Sequence, residues 1–157
     1  MTQQLQHELI TRAEKSRRLR ESISQSYQRW KDILAVEQDN ALWLKRIVRE
    51  NGWIRQSVHG TEAAKAAWKI VYHSGDHVFM RQCLRMMEPM VQTGEACQKD
   101  YAFLMDRFLI NQGRKQLYGT QSKKQDGQIV LLPIKDQHQL DERRQTVGLD
   151  PLLAIAE

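Results

Sequence analysis

The chain has 157 residues, of which 41% are hydrophobic and 27% charged, and its net charge is +5. That length and balance suit a single globular domain, residues 1–157, with a real core. No apolar run approaches the roughly 20 residues that span a bilayer, so transmembrane helices are excluded.

The opening stretch MTQQLQHELITRAEKSRRLR is polar throughout. It lacks a signal peptide's apolar segment, and the expected compartment is the cytoplasm. Leu5, Leu9, Ala13, Ser16, Leu19, Ile23, Tyr27 and Trp30 recur at three- and four-residue spacings, which predicts a helical arm over residues 1–35 with a break allowed near Ser24–Ser26. Its stripe suits packing within one monomer or a homodimer. KSRRLR (residues 15–20) is the densest basic run, but no recognition motif accompanies it. A solvated basic face is the expectation, and nucleic acid is not an expected partner.

A helical core is expected over residues 36–113. Val36, Asn40, Trp43, Leu44 and Ile47 form one stripe, ended by Gly52. WIRQSVHG (residues 53–60) reads as a loop, and Thr61 reads as the N-cap of an alanine-rich helix. Ser74-Gly75-Asp76 breaks that helix, and a further helix begins near Asp76, with Pro89 ending or bending it. Cys97, Tyr101, Leu104, Met105 and Phe108 mark a last long helix, stopped by Gly113. Cys83 and Cys97 have the apolar neighbours of reduced core thiols.

A β-hairpin is expected over residues 114–134: KQLYGTQ and QIVLLPI as strands, Asp126-Gly127 in the turn. A lone hairpin is marginal in water, so this one is expected to pack on the helices. Two short helices fill residues 135–157, the second opened by Asp150-Pro151. The expected fold is mainly α, a helical bundle with a C-terminal β-hairpin.

Several residues could carry chemistry. His73 and Asp76 form the first candidate pair, the carboxylate holding the imidazole in one tautomer for proton transfer. The alternative is that each merely suits a helix end: His73 at a C-terminus, Asp76 at an N-terminus. His73 and His77, four residues apart, have helical zinc-ligand spacing, but no third ligand is apparent and no metal or other cofactor is expected. Asn40 sits on an apolar stripe, where it ties helices together or binds a ligand. Asp106 and Arg107 interrupt the apolar pattern before the hairpin, and Arg107 suits an anionic group. Strand alternation would put Gln116, Tyr118 and Thr120 on one face, with Gln121 opposite. Arg143-Arg144 is either solvated or docked over a site. No Walker loop, GxGxxG or GxSxG motif is present, so a phosphate cradle of those kinds is not expected.

These residues carry a resemblance. Asp39-Asn40 through Gly52-Trp53, then Ala67-Trp68, His73, Asp76 and Gln82, then Asp106-Arg107, Gly113, Gln116 and Tyr118–Gln121, and finally Asp141, Arg143-Arg144, Gly148-Leu149 and Pro151-Leu152 make up a pattern over residues 36–153. The chain resembles a bacterial family of unknown function, DUF6624, on that pattern. Ile54 stands where the family pattern has proline, and Gly75 with His77 departs from its spacing. The resemblance implies that the polar residues form one set, Gln82 and Arg144 included, without choosing a reaction.

Two functions from different classes follow. One is a small hydrolase or group transferase, with His73 and Asp76 catalytic. Asn40, Gln82, Asp106, Arg107, Gln116, Tyr118, Thr120, Gln121 and Arg144 would then hold a small polar or peptide-like substrate between helices and hairpin. The other is a non-catalytic module that binds a small molecule or a protein through the same residues. Nucleic-acid binding by the basic N-terminal helix is a third reading.

Overall fold

The computed structural model describes residues 2–22 and 26–152. Among the described residues are seven α-helices, a short 3-10 helix and one two-stranded antiparallel sheet near the C-terminus. The fold is mainly α, as expected. The chain divides into two compact units, Met1–Ala96 and Cys97–Glu157.

The first unit holds α1 (Thr2–Glu21), α2 (Tyr27–Asn51), α3 (Gln56–His59), α4 (Thr61–His73) and α5 (His77–Gln92). α1 packs on both α2 and α4. It buries Leu9, Ala13 and Ser16, while α4 buries Ala63, Ala64, Ala66 and Ala67. Small side chains on both helices leave room for the backbones to approach, which is what the alanine-rich pattern implies. The break between the first two helices is real, and Ser26 caps α2 by accepting the Arg29 N–H at 3.3 Å. Ile23 lies outside the described residues. Tyr27 and Trp30 do not continue the α1 stripe. They are 70% and 56% exposed and stack on each other. A chain break resets helical phase, so a spacing that crosses it no longer marks one face.

Three local expectations need correction. Residues 53–60 are not simply a loop: Trp53 and Ile54 are buried, and α3 follows them. Glu95 caps α3, accepting from the Ser57 N–H and Oγ at 3.1 and 2.7 Å, a long-range partner that no local pattern shows. Gly60 takes the cap position of α4, and Thr61 is its first helical residue. Of the two expectations for Pro89, ending α5 is not met, since the helix runs on to Gln92. The carbonyl that loses its partner there belongs to Arg85, an exposed residue midway along the helix.

The second unit holds α6 (Gln98–Asn111), β1 (Ser122–Gln125), β2 (Gln128–Leu131), the 3-10 helix (Gln137–Gln139) and α7 (Leu140–Thr146). Ala102, Leu104, Phe108, Leu109, Leu140 and Val147 are buried. Of the face expected on α6, Leu104 and Phe108 are buried, whereas Tyr101 and Met105 are half-buried and Asp100 and Asp106 are buried instead. The hairpin turns at Asp126-Gly127, both at positive φ (52° and 78°), the geometry of a two-residue hairpin turn. It is shorter than expected: β1 begins at Ser122, so QLYGTQ is not a strand. Every residue of β1 and β2 is exposed, so the strands bury little of their own surface. The hairpin's base is held instead, as described below. The second tail helix is expected to open at Pro151; Pro151 and Leu152 are not helical, and its remaining residues lie outside those described.

Candidate functional site

Gln116–Gln121 is an irregular loop wrapped around a buried carboxylate. Asp106 is fully buried on α6. Its Oδ1 accepts from the N–H groups of Leu117 (2.7 Å) and Tyr118 (3.0 Å). Its Oδ2 accepts from the Thr120 N–H (3.0 Å) and Oγ1 (2.9 Å). The far side of the loop is clamped by cations. Arg143 Nε donates to the Leu117 carbonyl at 2.8 Å, and Arg144 Nη1 donates to the Tyr118 carbonyl at 2.6 Å. The Leu117–Tyr118 peptide thus has a guanidinium on its oxygen and a carboxylate on its N–H, an arrangement in which each bond polarises the other. Gly119, at φ 64°, completes the turn. A Cβ there would lie 2.9 Å from Leu152 Cδ1, with Ile134 and Leu140 close behind. The approach that glycine permits is therefore filled by this unit's own apolar side chains.

Gln116 has no exposed surface. Its side-chain amide behaves like a peptide group. Nε2 donates to the carbonyls of Gln121 (2.9 Å) and Leu132 (2.8 Å), while Oε1 accepts the Gln121 N–H at 2.8 Å. Its backbone bonds to the Pro133 carbonyl and the Lys135 N–H, both at 2.9 Å. One residue thus joins the loop to the returning strand and holds the base of an otherwise exposed hairpin. Gln121 is buried and donates from Nε2 to Thr120 Oγ1 at 3.1 Å. The alternation expected for Gln116, Tyr118 and Thr120 is not observed, because a chain that folds back on one carboxylate cannot keep a strand's period of two. Tyr118 is half-buried, and burial, with the Asp106 charge in second place, raises its phenol above the usual range. Arg107 is half-buried on α6. Of the residues nominated in this unit, Asp106, Gln116, Tyr118, Thr120, Gln121 and Arg144 are brought together, and their hydrogen bonds build the loop.

In the first unit Asn40 is buried and ties α2 to α1. Its Nδ2 donates to the Arg12 carbonyl and its Oδ1 accepts from Arg12 Nη1, each at 3.2 Å. The arginines of KSRRLR are paired: Arg17 and Arg18 with Glu14, and Arg20 with Glu37. Cys83 is buried, which pushes its thiol well up, and Cys97 is half-buried at the N-cap of α6.

His73 closes α4, and Asp76 is the N-cap of α5, its Oδ1 accepting the Phe79 N–H at 2.8 Å. Asp76 Oδ2 accepts from Lys45 Nζ of α2 at 2.5 Å. His77 is exposed at the start of α5, and no group of three or more potential metal ligands occurs among the described residues. The Asp76 carboxyl is held below the usual range, first by the Lys45 hydrogen bond and then by the Phe79 N–H, against the raising effect of burial. A depressed native pKa contributes stability above the ordinary aspartate range and loses it as pH falls through the native value. Asp76→Asn keeps a capping side chain but loses the charge. With both partners about a third exposed (37% and 32%), it is expected to be less stable than the parent at neutral pH by a few tenths to about 1 kcal/mol. Denaturant titrations should show the two proteins converging in acid; a gap that persists there would rule out this linkage.

Lys45 leads to a feature that the sequence patterns do not show. α2 and α5 line a groove of about 660 Å³. α2 contributes Lys45, Arg46 and Arg49, and α5 contributes Gln82 and Arg85. Leu42, Val48 and Met86 supply its apolar surface, and Leu42 is 66% exposed. Among the described residues no carboxylate lies within 4.0 Å of Arg46, Arg49 or Arg85, whereas Lys45 is held by Asp76. Of the nominated residues only Gln82 lines this groove, and Asp76 borders it through Lys45. Lys45-Arg46 is a consecutive basic pair, but Arg85 joins it only across two helices. The usable signal is helical: Leu42, Arg46 and Arg49 recur at four and three residues on α2, and Arg85 and Met86 follow Gln82 by three and four on α5.

The sequence model of the Family of unknown function (DUF6624) matches residues 3–156, and the chain belongs to that family. No curated protein and no solved structure matches it. Among the described residues no helix is long and apolar enough to cross a membrane.

Proposed function

We propose that this member of DUF6624 is a non-catalytic binding module that takes an anionic ligand in the α2–α5 groove. The observation that carries the reading is the set of three guanidinium groups, Arg46, Arg49 and Arg85, on one concave surface without a carboxylate partner among the described residues. Guanidinium groups bind carboxylates and phosphates through a planar, two-toothed fork. The groove's volume falls within the range of small-ligand sites.

Two further observations favour binding over catalysis. Asp76, the residue expected to orient His73, gives one oxygen to the α5 cap and the other to Lys45. Asp106, Gln116, Thr120 and Arg144, expected to hold a substrate, are bound into the Gln116–Gln121 loop. The pairing of Arg17, Arg18 and Arg20 with glutamates likewise argues against the basic N-terminal run as a nucleic-acid surface.

The test uses two probes, tripolyphosphate and polyglutamate, titrated calorimetrically at low and moderate salt. At least one is expected to bind the native chain, more weakly as salt rises. The double variant Arg46→Glu, Arg49→Glu is expected to bind at least tenfold more weakly, whereas Lys123→Glu on the exposed hairpin is expected to bind as the native chain does. Failure of both probes, or undiminished binding by the double variant, overturns the proposal.

A further inference from the structure

The groove is not a plain anion site, because its cations stand beside apolar surface. Leu42 is largely exposed, and Val48 and Met86 line the same surface. A free phosphate or a small carboxylate gains nothing from these side chains. A ligand that uses both must carry apolar groups flanked by negative charge.

The dimensions narrow the class further. Leu42, Lys45, Arg46 and Arg49 lie on two turns of α2, about 10 Å of helix at 1.5 Å per residue. Gln82, Arg85 and Met86 occupy one turn of α5. Two helices with an apolar floor and polar rims form the kind of trough that accepts one face of a third helix, whose anchors recur at three- and four-residue spacings.

We infer that the groove's occupant is an acidic amphipathic helical segment of a protein partner. Its apolar stripe would seat on Leu42, Val48 and Met86, and its carboxylates would meet Arg46, Arg49 and Arg85. The choice of occupant rests on charge complementarity: the groove offers these guanidiniums without a carboxylate partner among the described residues. Nothing in the groove is aromatic, so it lacks the stacking surface that single-stranded nucleic acid uses. The inference rests on the anion-binding reading above and adds the apolar requirement to it.

Fluorescence anisotropy with a labelled synthetic peptide tests it on the full chain. The parent peptide has leucines along one helical face and glutamates on either side. One control peptide replaces the leucines by alanine, and the other replaces the glutamates by glutamine. The parent is expected to bind, and each control to bind at least tenfold more weakly. Leu42→Ala, at an exposed position, is expected to weaken the parent peptide severalfold while leaving tripolyphosphate binding unchanged. Arg46→Glu with Arg85→Glu is expected to weaken both. If the alanine control binds as tightly as the parent, the apolar requirement is overturned. If tripolyphosphate binds at the groove arginines but the peptide does not, the peptide inference fails and the anion-binding reading stands. If the peptide, tripolyphosphate and polyglutamate all fail to bind, both fail.

Discussion

Asp106→Ala is expected to destabilise the native chain by about 3 kcal/mol or more. The carboxylate accepts from four donors: the N–H groups of Leu117, Tyr118 and Thr120 and the Thr120 hydroxyl. Alanine leaves these groups facing an apolar hole, and each buried unsatisfied donor costs roughly 1–3 kcal/mol. Water entering the space left by the carboxylate offsets part of that sum. Asp106→Asn is expected to be milder but still harmful, since its amide places a donor where a donor already points. Denaturant unfolding measures the loss, and amide exchange locates it: protection of Leu117, Tyr118 and Thr120 should fall first. A variant within about 0.5 kcal/mol of the parent would be incompatible with the carboxylate organising this loop.

The second large effect is Gln116→Glu, a change of one nitrogen to oxygen. Gln116 Nε2 donates to the carbonyls of Gln121 and Leu132 from a fully buried position. A carboxylate there sets negative oxygen against two carbonyl oxygens and buries a charge, a change expected to cost about 3–5 kcal/mol at neutral pH. The sign of the pH dependence separates this from simple misfitting. Burial and the facing carbonyls raise the introduced carboxyl's native pKa, so the folded state favours its protonated form, which can donate one hydrogen bond. The deficit should therefore shrink as pH falls through that raised pKa and be fully present above it. Gln116→Ala, which loses the bonds without adding charge, should show no such recovery in acid. Equal stability of Gln116→Glu and the parent at neutral pH, or a deficit indifferent to pH, would falsify the assignment.

Both variants bear on the same question, what a conspicuous polar motif is for. Tyr118-Gly119-Thr120-Gln121 with Gln116 reads as a ligand-binding strand, because its side chains donate and accept hydrogen bonds. In the structure the decisive donors are backbone N–H groups, and their acceptor, Asp106, lies on a different element. Side-chain chemistry could not reveal this, since every residue but proline carries the same N–H. Asn40 is the more legible case: a polar residue on an apolar stripe must find partners, and Arg12 on the neighbouring helix supplies two hydrogen bonds.

Helix existence, the break before Ser26, the stop at Gly52, the junction at Ser74–Asp76 and the Asp126-Gly127 turn were all legible locally. Each depends on periodicity or on the backbone preference of one or two residues. What needed tertiary structure were the features with partners distant in sequence. Glu95 caps α3, Gln116 joins the loop to the returning strand, and Lys45 meets Asp76 across two helices. The α2–α5 groove belongs with them, since its arginines are scattered along two helices and become one basic surface only when α2 and α5 are brought side by side. Local preference acts through a residue's immediate neighbours, whereas charge and burial act through space. The elements could therefore be read from the order of residues, and the candidate site could not.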